Sequence, residues 1–240
     1  MSKKEQLIMA WSGGKDSSYA LYRLLQDERY EVVGLLSTFN GLYKRLSMHG
    51  VSEALMDVQA AAIGLPLYKV YVYEASNEEY ERQLNTTLTN LKSKGINTIA
   101  FGDIFLEDLR QYRINQMAKI GMHCLFPLWQ MDTRELVTDF INSGFKSILC
   151  CINDGYLDES WLGKTIDREC INALPATVDP CGENGEFHSF CYDGPHFKKK
   201  ISIQTGEKTY QALTIKTSDH PTPIPDVGTK GFWFLDLKQA

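Results

Sequence analysis

Apolar and polar positions follow a regular order through the first half of the chain, where short apolar runs alternate with amphipathic stretches. Five runs have the length and composition of buried strands, at residues 6–11, 31–39, 67–73, 96–101 and 124–129. Between these runs, apolar residues recur at helical spacing in residues 16–29, 51–63, 77–94 and 106–120. This alternation predicts βαβ units and an α/β fold built on a doubly wound parallel sheet, whose strands are buried on both faces.

The second half of the chain follows a looser pattern. It predicts helices at 133–143 and 160–174, a strand at 146–152, and short strand-like runs at 188–192, 199–203 and 210–216. A Pro-rich connector at 219–230 precedes a last strand or docking segment at 231–237. Because the alternation ends near residue 129, we predict a first domain at 1–129 and a second, smaller α+β domain at 130–240.

Composition and charge narrow the classes of function. With 25 basic and 30 acidic residues, the chain carries a formal net charge of −5, which argues against nonspecific nucleic-acid binding. No segment reaches the roughly 18 consecutive apolar residues of a membrane helix, and the stretch MSKKEQLIMAWSGG is typical of a first strand, not of a signal peptide. The six cysteines form no CxxC pair, and the adjacent Cys150 and Cys151 are predicted to be buried in a strand. We therefore expect reduced thiols in a cytoplasmic protein without a membrane partner.

The residues best suited to bind a ligand lie in the turn SGGKDS, which follows the first predicted strand and begins the first predicted helix. Gly13 and Gly14 let the backbone curl and approach a ligand without Cβ clashes. Successive N–H groups in such a curl form a nest for an anion, and the N-terminus of the helix adds partial positive charge. Lys15 adds a full charge, and the serines add hydroxyl donors. We therefore predict a phosphate or pyrophosphate site made of Ser12, Gly13, Gly14, Lys15, Asp16 and Ser17.

The turn is not a Walker A loop, which requires GxxxxGK[ST]. SGGKDS instead resembles the PP-loop of the ATP-pyrophosphatase superfamily, in the expected place between a strand and a helix. The resemblance implies a HUP-like first domain that binds ATP with Mg²⁺ and cleaves it between the α and β phosphates. In such enzymes AMP is transferred to a carbonyl or carboxyl oxygen, and a nitrogen or sulfur nucleophile then displaces it.

Two further stretches are expected beside the nucleotide. FGDI closes a predicted strand on the same sheet edge as the turn, so that Gly102 permits close approach and Asp103 could hold Mg²⁺ or a ribose hydroxyl. Asp103 is alternatively a helix cap, since a predicted helix follows it. In RLSMHG, the backbone of Met48 or the side chain of His49 could contact adenine; the alternative is a solvent-facing loop.

Together, SGGKDS, GDIFLEDLR and the stretch GENGEFHSF–DGP resemble the diphthine–ammonia ligase family of PP-loop enzymes, over the chain to about residue 215. The resemblance implies an AMP-forming amidoligase that uses ATP and ammonia, or another amine donor, to amidate a carboxylate; in the family this is diphthine on elongation factor 2. The family motif reads GEGGEYET, and this chain matches at Glu183 and Glu186 but departs at Phe187, His188 and Ser189. Because bacterial members exist without diphthamide, and this chain is similar to such a divergent member, the acceptor stays open between a small molecule and a protein.

Lys15, Asp16, Glu183, Glu186 and His188 are the predicted catalytic residues. Two carboxylates in a Gly-rich turn could hold Mg²⁺, or one could deprotonate an incoming ammonium as a general base. The alternative is an acidic surface turn. We expect His188 to affect the choice of acceptor more than ATP binding, because the chain departs from the family motif there.

Other interpretations remain open on the sequence. The residues Cys181, His188, Cys191 and His196 could form a zinc site, although their spacing is uneven. A PP-loop tRNA sulfurtransferase would need a paired catalytic cysteine and a basic RNA surface. A nucleotide sensor of the HUP type would need no charge arranged at a scissile phosphate. We also expect that the chain can form a homodimer.

Overall fold

The computed structural model describes residues 4–74, 76–213 and 228–240. In the first half of the chain, the strands are β1 (Glu5–Ala10), β2 (Tyr30–Asn40), β3 (Arg45–Leu46), β4 (Leu67–Val72), β5 (Thr98–Ala100) and β6 (His123–Leu125). The helices between them are α1 (Lys15–Gln26), α2 (Glu53–Ile63), α3 (Asn77–Lys92) and α4 (Glu107–Lys119). Apart from the two-residue β3, each of these elements was predicted from the apolar pattern. Among the described residues, no helix has the length and apolar character needed to cross a membrane.

The first sheet has the parallel, doubly wound arrangement that the pattern predicted. β2 pairs with β1 and with β4, β1 pairs with β5, and β5 pairs with β6, all in parallel. The short β3 pairs antiparallel with the far end of β2. Leu7, Ile8 and Met9 of β1 are fully buried, because helices cover both faces of a parallel sheet.

The helix ends follow local sequence signals. The Ser52 side chain accepts from the backbone N–H of Leu55 at the start of α2, and Ser76 accepts from that of Glu79 at the start of α3. Gly64 ends α2 in the left-handed region, with φ of 87°, which glycine adopts without strain. In contrast, α1 begins at Gly14 without any hydrogen bond from a side-chain cap of its own. Its first N–H groups are therefore open to partners from elsewhere.

The second half of the chain forms an antiparallel sheet in the order β8-β7-β10-β9. Its elements are α5 (Thr133–Asn142), β7 (Lys146–Asn153), α6 (Arg168–Ala173), β8 (Phe187–Asp193), β9 (Ile203–Ala212) and β10 (Gly231–Gln239). The fold class, a HUP-like parallel sheet with a second, smaller α+β part, is thereby confirmed. The boundary at 129/130 stays a prediction.

Two predictions in the second half need correction. Residues 160–174 do not form one helix: a 3₁₀ turn at Glu159–Trp161 is separated from α6, because Gly163 has φ of 88° and Asp167 caps a new helix through the N–H of Cys170. The runs predicted at 199–203 and 210–216 overlap the single strand β9 only at its two ends, at residue 203 and at residues 210–212, and its middle was not predicted as strand. Residues 214–227, with the end of the second run and most of the Pro-rich connector, lie outside the described residues.

A shared hydrophobic core joins the two sheets. It contains Leu7 of β1 as well as Leu149 of β7, both with at most 1% of their surface exposed. Tyr19 of α1 packs edge-on against Phe140 and Phe145, with ring centroids 6.4 and 6.1 Å apart. This packing fixes the second sheet over the carboxyl ends of the parallel strands, where the predicted site residues lie.

Candidate active site

A cleft of about 1520 Å³ lies between the two sheets. One wall is formed by the segments that follow β1, β2, β4 and β5, as expected for a doubly wound sheet. The turn before β8 forms the second wall, and Phe234 and Asp236 of β10 with Thr209 of β9 complete the lining. Drug-sized ligands occupy sites of roughly 300–1,000 Å³, so the cleft has room for a nucleotide and a second molecule.

The loop at residues 12–17 has the curled backbone that its glycines predicted. Gly13 has φ of 70°, in the left-handed region. Gly14 lies so close to the second sheet that an added Cβ would stand 2.9 Å from the carbonyl oxygen of Ser189. The Ser12 hydroxyl accepts from the N–H of Gly14 at 3.3 Å and donates to the hydroxyl of Ser17 at 3.1 Å. The loop is therefore rigid, and it needs glycine at both positions.

Lys15 provides a buried positive charge at the start of α1. Its side chain is 2% exposed, and Nζ lies 2.6 Å from Oδ1 of Asp16. Burial would lower the pKa of the Lys15 ammonium, but the adjacent Asp16, with smaller contributions from Cys181 and Glu183, raises it above its usual range. Lys15 is therefore charged at the floor of a cleft with little water access, where a charge acts strongly on a bound anion.

A buried glutamine that the sequence pattern did not single out braces this loop. Gln59 of α2 is fully buried; its Nε2 donates to the carbonyls of Gly13, at 2.9 Å, and Cys191, at 2.6 Å. Its Oε1 accepts from the indole N–H of Trp11 at 2.8 Å. The only signal in the sequence was a polar residue within an apolar helix, VQAAAI. Gln59 thus connects the end of β1, the loop and β8 through one side chain.

Gly102 and Asp103 line the cleft next to the loop, and among the described residues no group of metal-binding side chains surrounds Asp103. A Cβ on Gly102 would stand 3.2 Å from the backbone N of Ser17, so this position allows close packing. Both oxygens of Asp103 accept from Arg113, at 2.6 and 3.1 Å, and the guanidinium stacks over Phe101. An arginine that occupies both oxygens leaves Asp103 poorly suited as a metal ligand.

The loop at 45–50 brings His49 into the cleft, where it meets His188 of β8. The two imidazole rings pack against each other with centroids 4.3 Å apart and a tilt of 30° between their planes. Burial, together with the nearby Lys15 charge, lowers the pKa of His188 to about 4 and also lowers the pKa of His49. Both rings are therefore neutral at pH 7. The neighbouring Met48 lines the cleft, is well exposed, and has φ of 65°, which is uncommon for a residue with a side chain.

Glu183 lines the cleft from the second sheet. Its Oε1 accepts from the backbone N–H groups of Ile104, at 2.8 Å, and Phe105, at 3.2 Å, so that it connects the GENGEF turn to the segment after β5. Burial and the nearby Asp16 carboxylate raise the pKa of Glu183 to about 7, although the two N–H donors and Lys15 oppose the shift. A carboxyl group with such a pKa can exchange a proton near neutral pH.

Glu186 lies away from the cleft. It is fully buried, and its oxygens accept from the backbone N–H groups of Asp179 and Asn184, both at 2.9 Å, and from the Asn184 amide at 3.0 Å. All of these donors belong to the turn itself. The geometry therefore favours a structural role for Glu186 in place of the predicted catalytic one.

The four residues considered for zinc are dispersed. The Cys181 thiol donates to the carbonyl of Thr133, and His196 packs between the rings of Phe145 and Phe197, away from the His188 ring. No group of three or more histidine, cysteine or acidic side chains that could hold a metal ion is present among residues 4–74, 76–213 and 228–240. Cys150 and Cys151 are fully buried in β7, as predicted.

Comparison with known proteins places this cleft in a family. A family model for the diphthamide synthase N-terminal domain matches residues 5–124, and one for the diphthamide synthase C-terminal domain matches residues 132–218. The chain belongs to the diphthamide synthase family. The diphthine–ammonia ligase of Rattus norvegicus is 28% identical to it over 225 residues, which cover 82% of each chain. That of Homo sapiens is 27% identical and covers 89% of this chain and 86% of its own length. The Schizosaccharomyces pombe ligase is 26% identical over 88% of this chain but only 39% of its own length.

The family assignment confirms the resemblance drawn from the three motifs, and it makes the protein an ATP-dependent ligase of the diphthamide synthase family. The structure brings most predicted residues to one cleft: Ser12, Gly14, Lys15, Asp16, Ser17, Met48, His49, Gly102, Asp103, Glu183 and His188. Gly13 packs behind that lining against Gln59, and Glu186 lies inside its own turn. Gln59 and Ser189 were missed as site residues because their partners are distant in sequence.

Proposed function

We propose that this protein activates a carboxylate acceptor with ATP and amidates it with ammonia. The acceptor oxygen attacks the α-phosphorus, the bond from that phosphorus to the bridging oxygen of the β-phosphate breaks, and pyrophosphate leaves. The nitrogen of ammonia then attacks the acyl carbon, and AMP leaves with the acyl oxygen. The observation that carries the proposal is the buried, charged Lys15 on one side of the cleft near Glu183, whose pKa is about 7, on the other.

The first wall is suited to the nucleotide half of the reaction. The N-terminus of α1, the curl at Gly13 and the Lys15 ammonium together offer an anion site for the triphosphate. We place the adenine ring of ATP near Met48 and His49, which line the same cleft. Mg²⁺ would arrive with ATP and keep phosphate oxygens and waters as ligands, since it is commonly bound through only one or two carboxylates. Of the carboxylates that line the cleft, that of Asp16 is the best placed for this role, because it lies in the loop and is partly exposed. Its negative charge would attract the cation to the phosphates.

The second wall is suited to the amine half. Glu183 is the general base of the proposal: it accepts the proton that the attacking amine loses, with a pKa near the working pH. The neutral His188 and His49 rings line the same cleft as hydrogen-bonding groups without charge. The second sheet covers the first over this region, and such a cover protects an acyl-adenylate from water.

The relatives are named diphthine–ammonia ligases, so diphthine is the first acceptor to test. At the wall where an acceptor would lie, this chain carries His188 and Ser189 in place of the Glu–Thr pair of the GEGGEYET motif. We therefore propose a carboxylate acceptor, on a protein or a small molecule, that need not be identical to that of the relatives. The six unpaired cysteines suit a reducing compartment, and we propose the cytoplasm. Homodimer formation stays a prediction.

The test is to follow ATP labelled at the α-phosphate, with ammonium and a panel of carboxylate acceptors that includes diphthine-bearing elongation factor 2. We expect AMP, pyrophosphate and amide in equal amounts, all dependent on the acceptor. Lys15→Ala is the control for contaminating activities. ADP as the only product would contradict adenylation. Binding of ATP without any turnover over the whole panel would favour a nucleotide sensor instead.

A further inference from the structure

Strand β8 of the second sheet is attached directly to the phosphate loop. The backbone N–H of Cys191 donates to the carbonyl of Gly13 at 2.8 Å, and Gln59 bridges the carbonyls of the same two residues. Two residues earlier on β8, the Ser189 hydroxyl accepts from the backbone N–H of Lys15 at 3.1 Å. Three independent hydrogen-bonded links thus hold one strand of the second sheet against the anion site of the first.

The Lys15 N–H is one of the first donors of α1, in the position where a helix N-terminus receives an anion. Gly14 has no side chain with which to cap the helix, and Ser189 supplies the hydroxyl from 174 residues away in sequence. Ser189 is also 3% exposed, so its hydroxyl is held in place by packing. A serine hydroxyl carries one proton to donate and two lone pairs to accept. While a lone pair accepts from Lys15, the proton remains available to a ligand in the cleft.

We infer that Ser189 is a phosphate ligand of the nucleotide, contributed to the PP-loop site by the second sheet. Its hydroxyl donates to a phosphate oxygen of ATP while it accepts from Lys15 N–H, so that the loop and β8 bind the phosphates as one unit. His188 is the preceding residue of β8. The same strand therefore carries a nucleotide contact and a group of the acceptor wall next to each other. This inference rests on the proposed function, because it assigns a residue to the ATP site.

The experiment compares Ser189→Ala, Ser189→Thr and the matched control Ser147→Ala. Ser147 is also a fully buried serine of the second sheet, and within the described part of the chain its hydroxyl has no hydrogen-bond partner. Affinities for ATP and for adenosine, which has no phosphate, are measured by calorimetry or NMR titration. We expect Ser189→Ala to weaken ATP binding about tenfold, the scale of a hydrogen bond to a charged group, and to leave adenosine binding unchanged. Ser189→Thr restores ATP affinity to within a few-fold, and Ser147→Ala leaves it unchanged.

A purely structural role as a helix cap gives a different result. In that case Ser189→Ala lowers the melting temperature, and the affinities for ATP and adenosine either both stay the same or both fall together; each outcome overturns the inference. If Ser189→Ala does not fold, Ser189→Cys replaces it, since a thiol fills the site but donates weakly. Wild-type protein without any ATP affinity would count against the proposed function. An ATP affinity that is lost in Lys15→Ala and kept in Ser189→Ala would overturn this inference alone.

Discussion

The functional groups on the two walls of the cleft are positioned in different ways. In the loop at residues 12–17, each group that faces the ligand follows from local sequence: glycines for the curl, a lysine for charge, and a helix that begins directly after them. In the turn at 179–186, two glutamates with similar neighbours in sequence take up different environments. Glu183 faces the cleft with a pKa of about 7, whereas Glu186 is fully buried among donors of its own turn. Similar local sequence thus gives one candidate base and one structural carboxylate.

Tertiary contacts cause this difference. Glu183 accepts from the backbone N–H groups of Ile104 and Phe105 in the segment after β5. Its pKa also depends on the nearby charges of Asp16 and Lys15. Glu186 instead satisfies donors that would otherwise be buried without partners. The comparison teaches that a motif match with two carboxylates does not say which of them carries chemistry. The following predictions test the contrast, from the largest expected effect to the smallest.

Removal of the Lys15 charge should have the largest effect. Lys15→Ala is expected to lower turnover by about 10³-fold, the scale of a group that stabilises developing charge in a buried site, and to weaken ATP binding at least tenfold. Calorimetry and labelled-ATP assays measure the two quantities. Lys94→Ala, at an exposed position after α3, is the control for loss of a lysine. Unchanged ATP affinity in folded Lys15→Ala protein would remove the loop from the nucleotide site.

Glu183→Gln should lower amide formation by about 10²-fold, typical of a general base, with ATP affinity within a few-fold of wild type. For the wild type, we expect the rate of amide formation to rise with pH through about 7, where the Glu183 carboxyl loses its proton. We expect the variant to lack this rise. The exposed Glu78→Gln serves as control. An identical pH profile in both proteins would rule out Glu183 as the base.

The raised pKa of Glu183 predicts that the free energy of unfolding changes with pH. Its folded pKa of about 7 lies above the ordinary value of 4.5 for a glutamate, so between these pH values the folded protein binds more protons than the unfolded chain. The contribution of Glu183 to the free energy of unfolding therefore falls as pH rises from 4.5 to about 7 and is constant above that. Denaturation of wild type and Glu183→Gln across this range measures it. We expect a smaller decline in the variant.

Gln59→Met should weaken ATP binding by about three- to tenfold, because a loop displaced by a fraction of an ångström binds its ligand less well. The substitution keeps the volume but removes one of two donors to the carbonyl of Gly13 and the acceptor of the Trp11 indole N–H. Calorimetry with ATP is the measurement, and denaturation is the control for global stability. ATP affinity at the wild-type level would show that the loop keeps its shape without this brace.

Glu186→Gln should have the smallest effect on turnover and should instead lower the free energy of unfolding. In the variant, the neutral amide presents its own N–H to the backbone N–H of Asn184, so that a buried donor loses its acceptor. We expect this loss to lower the free energy of unfolding by about 1–3 kcal/mol. In a chain of this size, each kcal/mol corresponds to about 2–4 °C of melting temperature. Turnover of the folded variant should stay within a few-fold of wild type. A 10²-fold loss of turnover without loss of stability would return Glu186 to the catalytic groups.

The sequence by itself determined the parallel sheet, the phosphate loop and the family. These features depend on short-range rules: apolar periodicity, helix signals such as Ser52 and Gly64, and a six-residue turn whose chemistry is complete within itself. The helix predicted at 160–174 failed because the left-handed Gly163 interrupts it, which periodicity alone does not reveal.

Only the tertiary structure decided which side chains face the cleft and in what protonation state. The links from Ser189 to Lys15 and from Cys191 to Gly13 span more than 170 residues, and no local pattern encodes them. The pKa of Glu183 is raised by burial and by the charge of Asp16 in α1, and the carboxylate of Asp103 accepts hydrogen bonds from Arg113. Burial and electrostatic fields depend on how the two sheets pack against each other, so these properties exist only in the folded protein.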